Sequence, residues 1–128
     1  DEWFHLYRKV LSEYKLESRC ASLRSINTRP DLEELLAGKE EVIFEKLEKE
    51  SLRAIHEDGA DVIVLGSTTM HQSHGFLQQA LPVPVINPGL MSYKLCEMFL
   101  ETGLTHSKTA FPAPQQPNDQ FILSRLPD

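Results

Sequence analysis

The chain has 128 residues, 25% of them charged, a formal net charge of −6 and two cysteines. That length fits one domain able to bury a core without disulfides or metal. The negative balance argues against nucleic acid or an anionic membrane surface as partner, since both select clustered Lys and Arg.

Asp1 to Tyr14 sets Trp3, Leu6, Tyr7, Val10, Leu11 and Tyr14 at helical spacing, with acidic residues at the favourable N-terminal end. An amphipathic helix packed on a core is expected. Leu16 to Ile26 alternates loosely and predicts a strand, with Arg19 and Arg24 at solvated ends or near an anion. A loop at Asn27 to Asp31 leads to a short helix, Leu32 to Ala37, closed by Gly38. Glu40 to Glu57 predicts a longer helix with Val42, Ile43, Leu47, Ala54 and Ile55 on its apolar stripe, ended by Gly59.

Val62, Ile63, Val64 and Leu65 then form an unbroken apolar run. Such a run predicts a parallel strand buried on both faces. It opens into the small polar loop Gly66-Ser67-Thr68-Thr69. A helix is expected over Phe76 to Ala80 and a strand over Val83 to Ile86, flanked by Pro82 and Pro84. Asn87 is a suitable N-cap and Pro88 a suitable first residue for a helix running to about Glu101, stopped by Gly103. The remainder, 104–128, is proline-rich and is expected to be an extended arm. Residues 1–103 read as an α/β lobe with a parallel sheet flanked by helices. The chain opens on a helix and without Met, so a strand upstream is expected to be missing and the lobe to be truncated at its N-terminus.

Two strand-to-helix junctions carry the chemistry. Ser67, Thr68 and Thr69 follow the first buried strand, and Asn87, Pro88 and Gly89 follow the second. Ligands in parallel sheets sit at the carboxyl ends of strands, and helix N-termini favour anions. A pocket for a small carboxylate or imide is one reading; capping of the next helix by Ser67 and Thr68 is the other. The pentapeptide centred on Ser67 lacks both glycines of a serine-hydrolase elbow. His71 and His74 have a spacing that could suit a metal, but with no Cys or carboxylate nearby no metal is expected. His56 and His106 have no visible partner. Cys20 and Cys96 sit among apolar residues and read as reduced structural thiols of a cytoplasmic protein. No run approaches the roughly 20 residues of a membrane span, and no Gly-rich phosphate loop is present.

Gly59 to Met70, Val83 to Gly89 and Gly103 to Lys108 together resemble the C-terminal half of the aspartate/glutamate/hydantoin racemase superfamily, nearest its hydantoin-racemase-like branch. The similarity covers about Glu40 to Pro114 in order and spacing. It implies a two-lobed α/β fold and a cofactor-independent racemase or isomerase. One cysteine from each lobe would move the proton next to a carbonyl, and a thiol suits that work because its pKa can be lowered. Ser67 stands where the family has its C-terminal catalytic cysteine. The resemblance therefore assigns Ser67 to the acid/base position, and the reading of the two junctions gives Thr68, Thr69 and the backbone at Asn87, Pro88 and Gly89 to the substrate. His71 would serve Ser67 only if the loop folds back. The alternatives are a non-catalytic small-molecule-binding or accessory protein of the same fold, and a one-base lyase such as a decarboxylase. Exposed apolar surface on an incomplete lobe predicts a homo-oligomer or a missing N-terminal lobe as partner.

Overall fold

The computed structural model describes residues 3–28, 40–113, 115 and 119–125. By its internal contacts the chain divides into two units, Asp1–Lys94 and Leu95–Asp128.

The first unit opens with α1, Phe4–Glu13, followed by a 3-10 turn at Glu17–Arg19. Coil runs from residue 20 to residue 28. The long helix α2, Glu40–Asp58, comes next. Strand β1, Ile63–Val64, and a 3-10 turn, Thr68–Met70, lead into α3, Ser73–Ala80. Strand β2, Val85–Ile86, feeds α4, Pro88–Thr102, through which the division between the units runs. In the second unit, the expected proline-rich arm carries one short helix among its described residues, α5, Asp119–Leu123.

The sheet is parallel, as the apolar runs predict. Ile63 stands opposite Val85 and Val64 opposite Ile86. Two ladder bonds flank this register: the Ile63 amide donates to the Pro84 carbonyl at 2.9 Å, and the Leu65 amide to the Ile86 carbonyl at 3.1 Å. Pro84 has no N–H to donate, so β2 begins after it and is shorter than the expected Val83 to Ile86.

The core of this unit is Ile43 and Leu47 of α2, Leu65 after β1, Leu77 of α3, Leu81 and Val85. Ile26, Leu52, Ile55, Ile63 and Met70 pack against it. Phe44 and Phe76 stack between α2 and α3 with ring centroids 5.5 Å apart. Of the expected α2 stripe, Ile43, Leu47 and Ala54 are buried while Val42 is exposed. The helix ends at Gly59, whose φ of +75° needs a residue without a Cβ; Gly103, at φ +67°, follows α4 in the same way.

Four expectations are corrected. Val62 and Val64 are exposed while Leu65 is buried, so the β1 run is covered on one face and open on the other. No strand forms over 16–26: a 3-10 turn takes Glu17–Arg19, and in the coil after it Arg24 reaches the end of α2. None of the residues of α1 is buried; Leu6, Tyr7 and Val10, with Trp3 before them, present their apolar stripe outward. Cys96 is exposed on α4, because that helix buries none of its residues; Cys20 is half-buried and its Sγ donates to the Ser22 carbonyl at 3.5 Å. The expected helix at Leu32 to Ala37 lies outside the described residues.

Glu57 and Asp58 sit at the negative end of the helix dipole, where carboxylates are unfavourable. Arg24 offsets them. Its Nε donates to Asp58 at 2.6 Å and its Nη2 to Glu57 at 2.7 Å, with Glu50 3.5 Å from Nη1. The Arg24 bond, then one from Ser22, holds the Asp58 carboxyl at about 2, below its ordinary 3.8. Arg53 and then Arg24 lower Glu57 in the same direction. Arg24 itself is raised above its usual range, first by Asp58 and then by Glu57.

Candidate functional site

The site begins where the β-ladder stops. After the last ladder amide, that of Leu65, the chain turns through Gly66 and Ser67 into the 3-10 turn at Thr68–Met70. The Met70 amide donates to the Ser67 carbonyl at 3.2 Å, and the His71 amide to the Thr68 carbonyl at 3.2 Å. Ser73, almost wholly buried, donates its hydroxyl to the Met70 carbonyl at 2.7 Å and so closes the loop against the start of α3. Ser67 is half-buried.

Asn87 builds the other half. Its Oδ1 accepts the Gly89 amide at 3.1 Å and the Leu90 amide at 3.3 Å. These are the second and third residues of α4, so the cap read from the sequence is present, with Pro88 in the first position. The Asn87 Nδ2 donates to the His71 carbonyl at 3.4 Å, which ties the two junctions together. Asn87 is buried. Thr68 lies beside Gly89: a Cβ on Gly89 would stand 3.8 Å from the Thr68 Cβ and Cγ2, and 3.4 Å from Asn87 Oδ1.

The structure thus brings Thr68, His71, Asn87 and Gly89 to one place, next to Ser67, at the carboxyl ends of two paired parallel strands. The Gly89 amide, expected to face a ligand, is engaged by the Asn87 side chain, as is the Leu90 amide after it. His71 contributes its backbone carbonyl, and its residue is exposed. His74 takes a structural part, its Nε2 lying 3.1 Å from the Val85 carbonyl and joining α3 to β2. His106, in the second unit, meets Lys108 at 3.2 Å and the Phe111 ring edge-on. Among the described residues, no three His, Cys, Asp or Glu side chains gather as a metal site would need.

One contact escapes sequence reasoning. The Tyr7 hydroxyl on α1 donates to the Gly66 carbonyl at 2.6 Å, across 59 residues of sequence. The spacing of Tyr7 with Leu6 and Val10 signals an apolar stripe, and nothing local signals a polar role.

Parallel strands joined through a helix, with polar loops meeting at their carboxyl ends, make this an α/β protein. The sequence profile described as Asp/Glu/hydantoin racemase matches residues 1–96. The chain belongs to the Asp/Glu/hydantoin racemase family. It is also similar to a hydantoin racemase of Rhizobium meliloti, 36% identical over 100 residues, which is 77% of this chain and 40% of that relative. The chain therefore spans less than half the length of that curated relative. No solved structure matches it. Among the described residues, no helix is long and apolar enough to cross a membrane.

Proposed function

We propose that this chain supplies one side of a pocket for cofactor-independent racemisation or isomerisation of an amino acid or hydantoin-like compound, by removing and returning the proton next to a carbonyl. One observation carries the reading. In a chain of this family, the Ser67–Thr68 loop meets the capped start of α4 at the carboxyl ends of the paired strands. Ser67 takes the acid/base position. Thr68, Thr69, Asn87, Pro88 and Gly89 hold the carboxylate or imide, where oriented donors act on developing enolate charge. The Gly89 and Leu90 N–H groups, which donate to Asn87 Oδ1, reach a substrate oxygen by dividing their hydrogen bonds between it and Oδ1 or by exchanging that cap for it. His71, four residues on, assists Ser67 only where the loop folds back on it.

A serine hydroxyl is a weak acid and a poor base without an activating neighbour. That residue at position 67 favours the second reading, a binding or accessory protein that keeps the pocket and has lost the thiol. Solvent-deuterium incorporation into a panel of amino acids and hydantoins, catalysed by the full natural chain, separates the two. Exchange is expected, Ser67→Ala should abolish it and Ser67→Cys should raise it. Thermal stabilisation by these compounds with no exchange across the panel would leave the binding reading and overturn the racemase one. The exposed stripe of α1 is matched in this proposal by a second copy or a second lobe. Sedimentation of the full natural chain is expected to show association where a second copy covers the stripe, and a monomer at all concentrations overturns the second copy.

A further inference from the structure

We infer that Tyr7 is a positioning residue for Ser67, acting through the Gly66–Ser67 peptide; the catalytic part of this inference rests on the racemase reading above. The β-ladder ends with the Leu65 amide, and one residue further on the Gly66 carbonyl accepts the Tyr7 hydroxyl at 2.6 Å. That distance is at the short end for O–H···O bonds. A trans peptide is planar, with its C=O and N–H pointing opposite ways. Fixing the Gly66 carbonyl toward α1 therefore fixes the Ser67 N–H away from α1 and sets the direction in which the chain enters Ser67. The bond also polarises that peptide.

Two further observations support the role. Tyr7 sits on a helix that buries none of its residues, yet its hydroxyl turns onto the Gly66 carbonyl and gives α1 a specific polar point of attachment. The space over Gly66 is also closed to a side chain by Tyr7 itself. A Cβ at position 66 would stand 3.0 Å from the Tyr7 Oη and 3.4 Å from its Cζ. A side chain there makes the hydroxyl give way by a few tenths of an ångström and so strains its short bond to the carbonyl. The pair Tyr7 and Gly66 thus works as one unit: glycine gives the approach and tyrosine the bond.

The test uses the full natural chain and two readouts. Tyr7→Phe keeps the ring and removes only the hydroxyl. In amide NMR it should shift the Ser67 resonance and speed its hydrogen exchange, while the core amides of Leu47 and Leu77 stay in place. In the deuterium-exchange assay it should lower kcat about 10- to 100-fold with KM nearly constant, as expected when an acid/base group is misplaced by a fraction of its reach. Gly66→Ala should disturb the Ser67 amide in the same way. In Tyr7→Phe/Gly66→Ala the two effects should fall short of additive, because the second change attacks a bond already gone. An unchanged Ser67 amide in Tyr7→Phe, or full additivity in the double variant, overturns the inference. If the parent protein exchanges no substrate, the racemase reading fails, and the amide data still decide the role of Tyr7.

Discussion

Asn87 serves two elements with one amide group: its oxygen caps α4 and its nitrogen holds the loop carbonyl of His71. Asn87→Ala removes both and should lower stability by about 1–2 kcal/mol in denaturant unfolding, the upper part of the range for a lost cap. Asn87→Asp keeps the cap acceptor but sets a carboxylate oxygen against the His71 carbonyl, so the helix cap survives while the tie between the two junctions is lost. Gly89 makes a different case. A methyl there meets Asn87 Oδ1 and Thr68 at ordinary contact distances, so Gly89→Ala should leave stability unchanged or raise it by a few tenths of a kcal/mol through helix propensity. It would also occupy the gap beside Thr68, and ligand-induced thermal shift should fall. These residues were legible in the sequence because a cap and its proline act within one turn. The Tyr7 bond was not, since a pairing across 59 residues leaves no local pattern.

At the scale of elements, burial separates positions that look alike in the sequence. Leu77 is fully buried between α2, β2 and its own helix, whereas Val64 of β1 is 61% exposed. Leu77→Ala should cost about 2–5 kcal/mol through lost contacts and an unfilled cavity. Val64→Thr should stay within about 0.5 kcal/mol, as for surface positions. Equilibrium denaturation of both variants checks the contrast. The run Val62 to Leu65 is apolar enough for cover on both faces; α2 and α3 supply cover on one. The pattern therefore predicted the strand and its direction correctly but overstated its burial. At 16–26 the alternation was misleading for another reason. Ile26 packs on the core and Arg24 binds the end of α2, so each turns inward for its own partner and no ladder is needed.

For the first unit as a whole, the Arg24 cluster sets a pH dependence. Asp58 titrates at 3.8 when unpaired and at about 2 beside Arg24. A carboxyl whose folded pKa is depressed contributes stability above its unfolded pKa and loses it as pH falls through the folded one. The denaturation midpoint should therefore drop as pH falls from about 4 to about 2, with Glu57 adding in the same direction. Arg24→Gln should flatten that slope and leave the dependence above pH 5 nearly unchanged.

The register of the two short strands has a consequence for how this family's loops can vary in length. Val64 pairs with Ile86, and three residues beyond each stand Ser67 and Gly89. Both halves of the site are thus counted off from the same rung. Residues added between Leu81 and Val85 lengthen an approach to the sheet and leave that count intact. One residue added between Val64 and Ser67 changes it, carrying Ser67 up to about 3.3 Å along the chain relative to Gly89. Insertions before the strands should therefore be tolerated and insertions after them should abolish ligand binding.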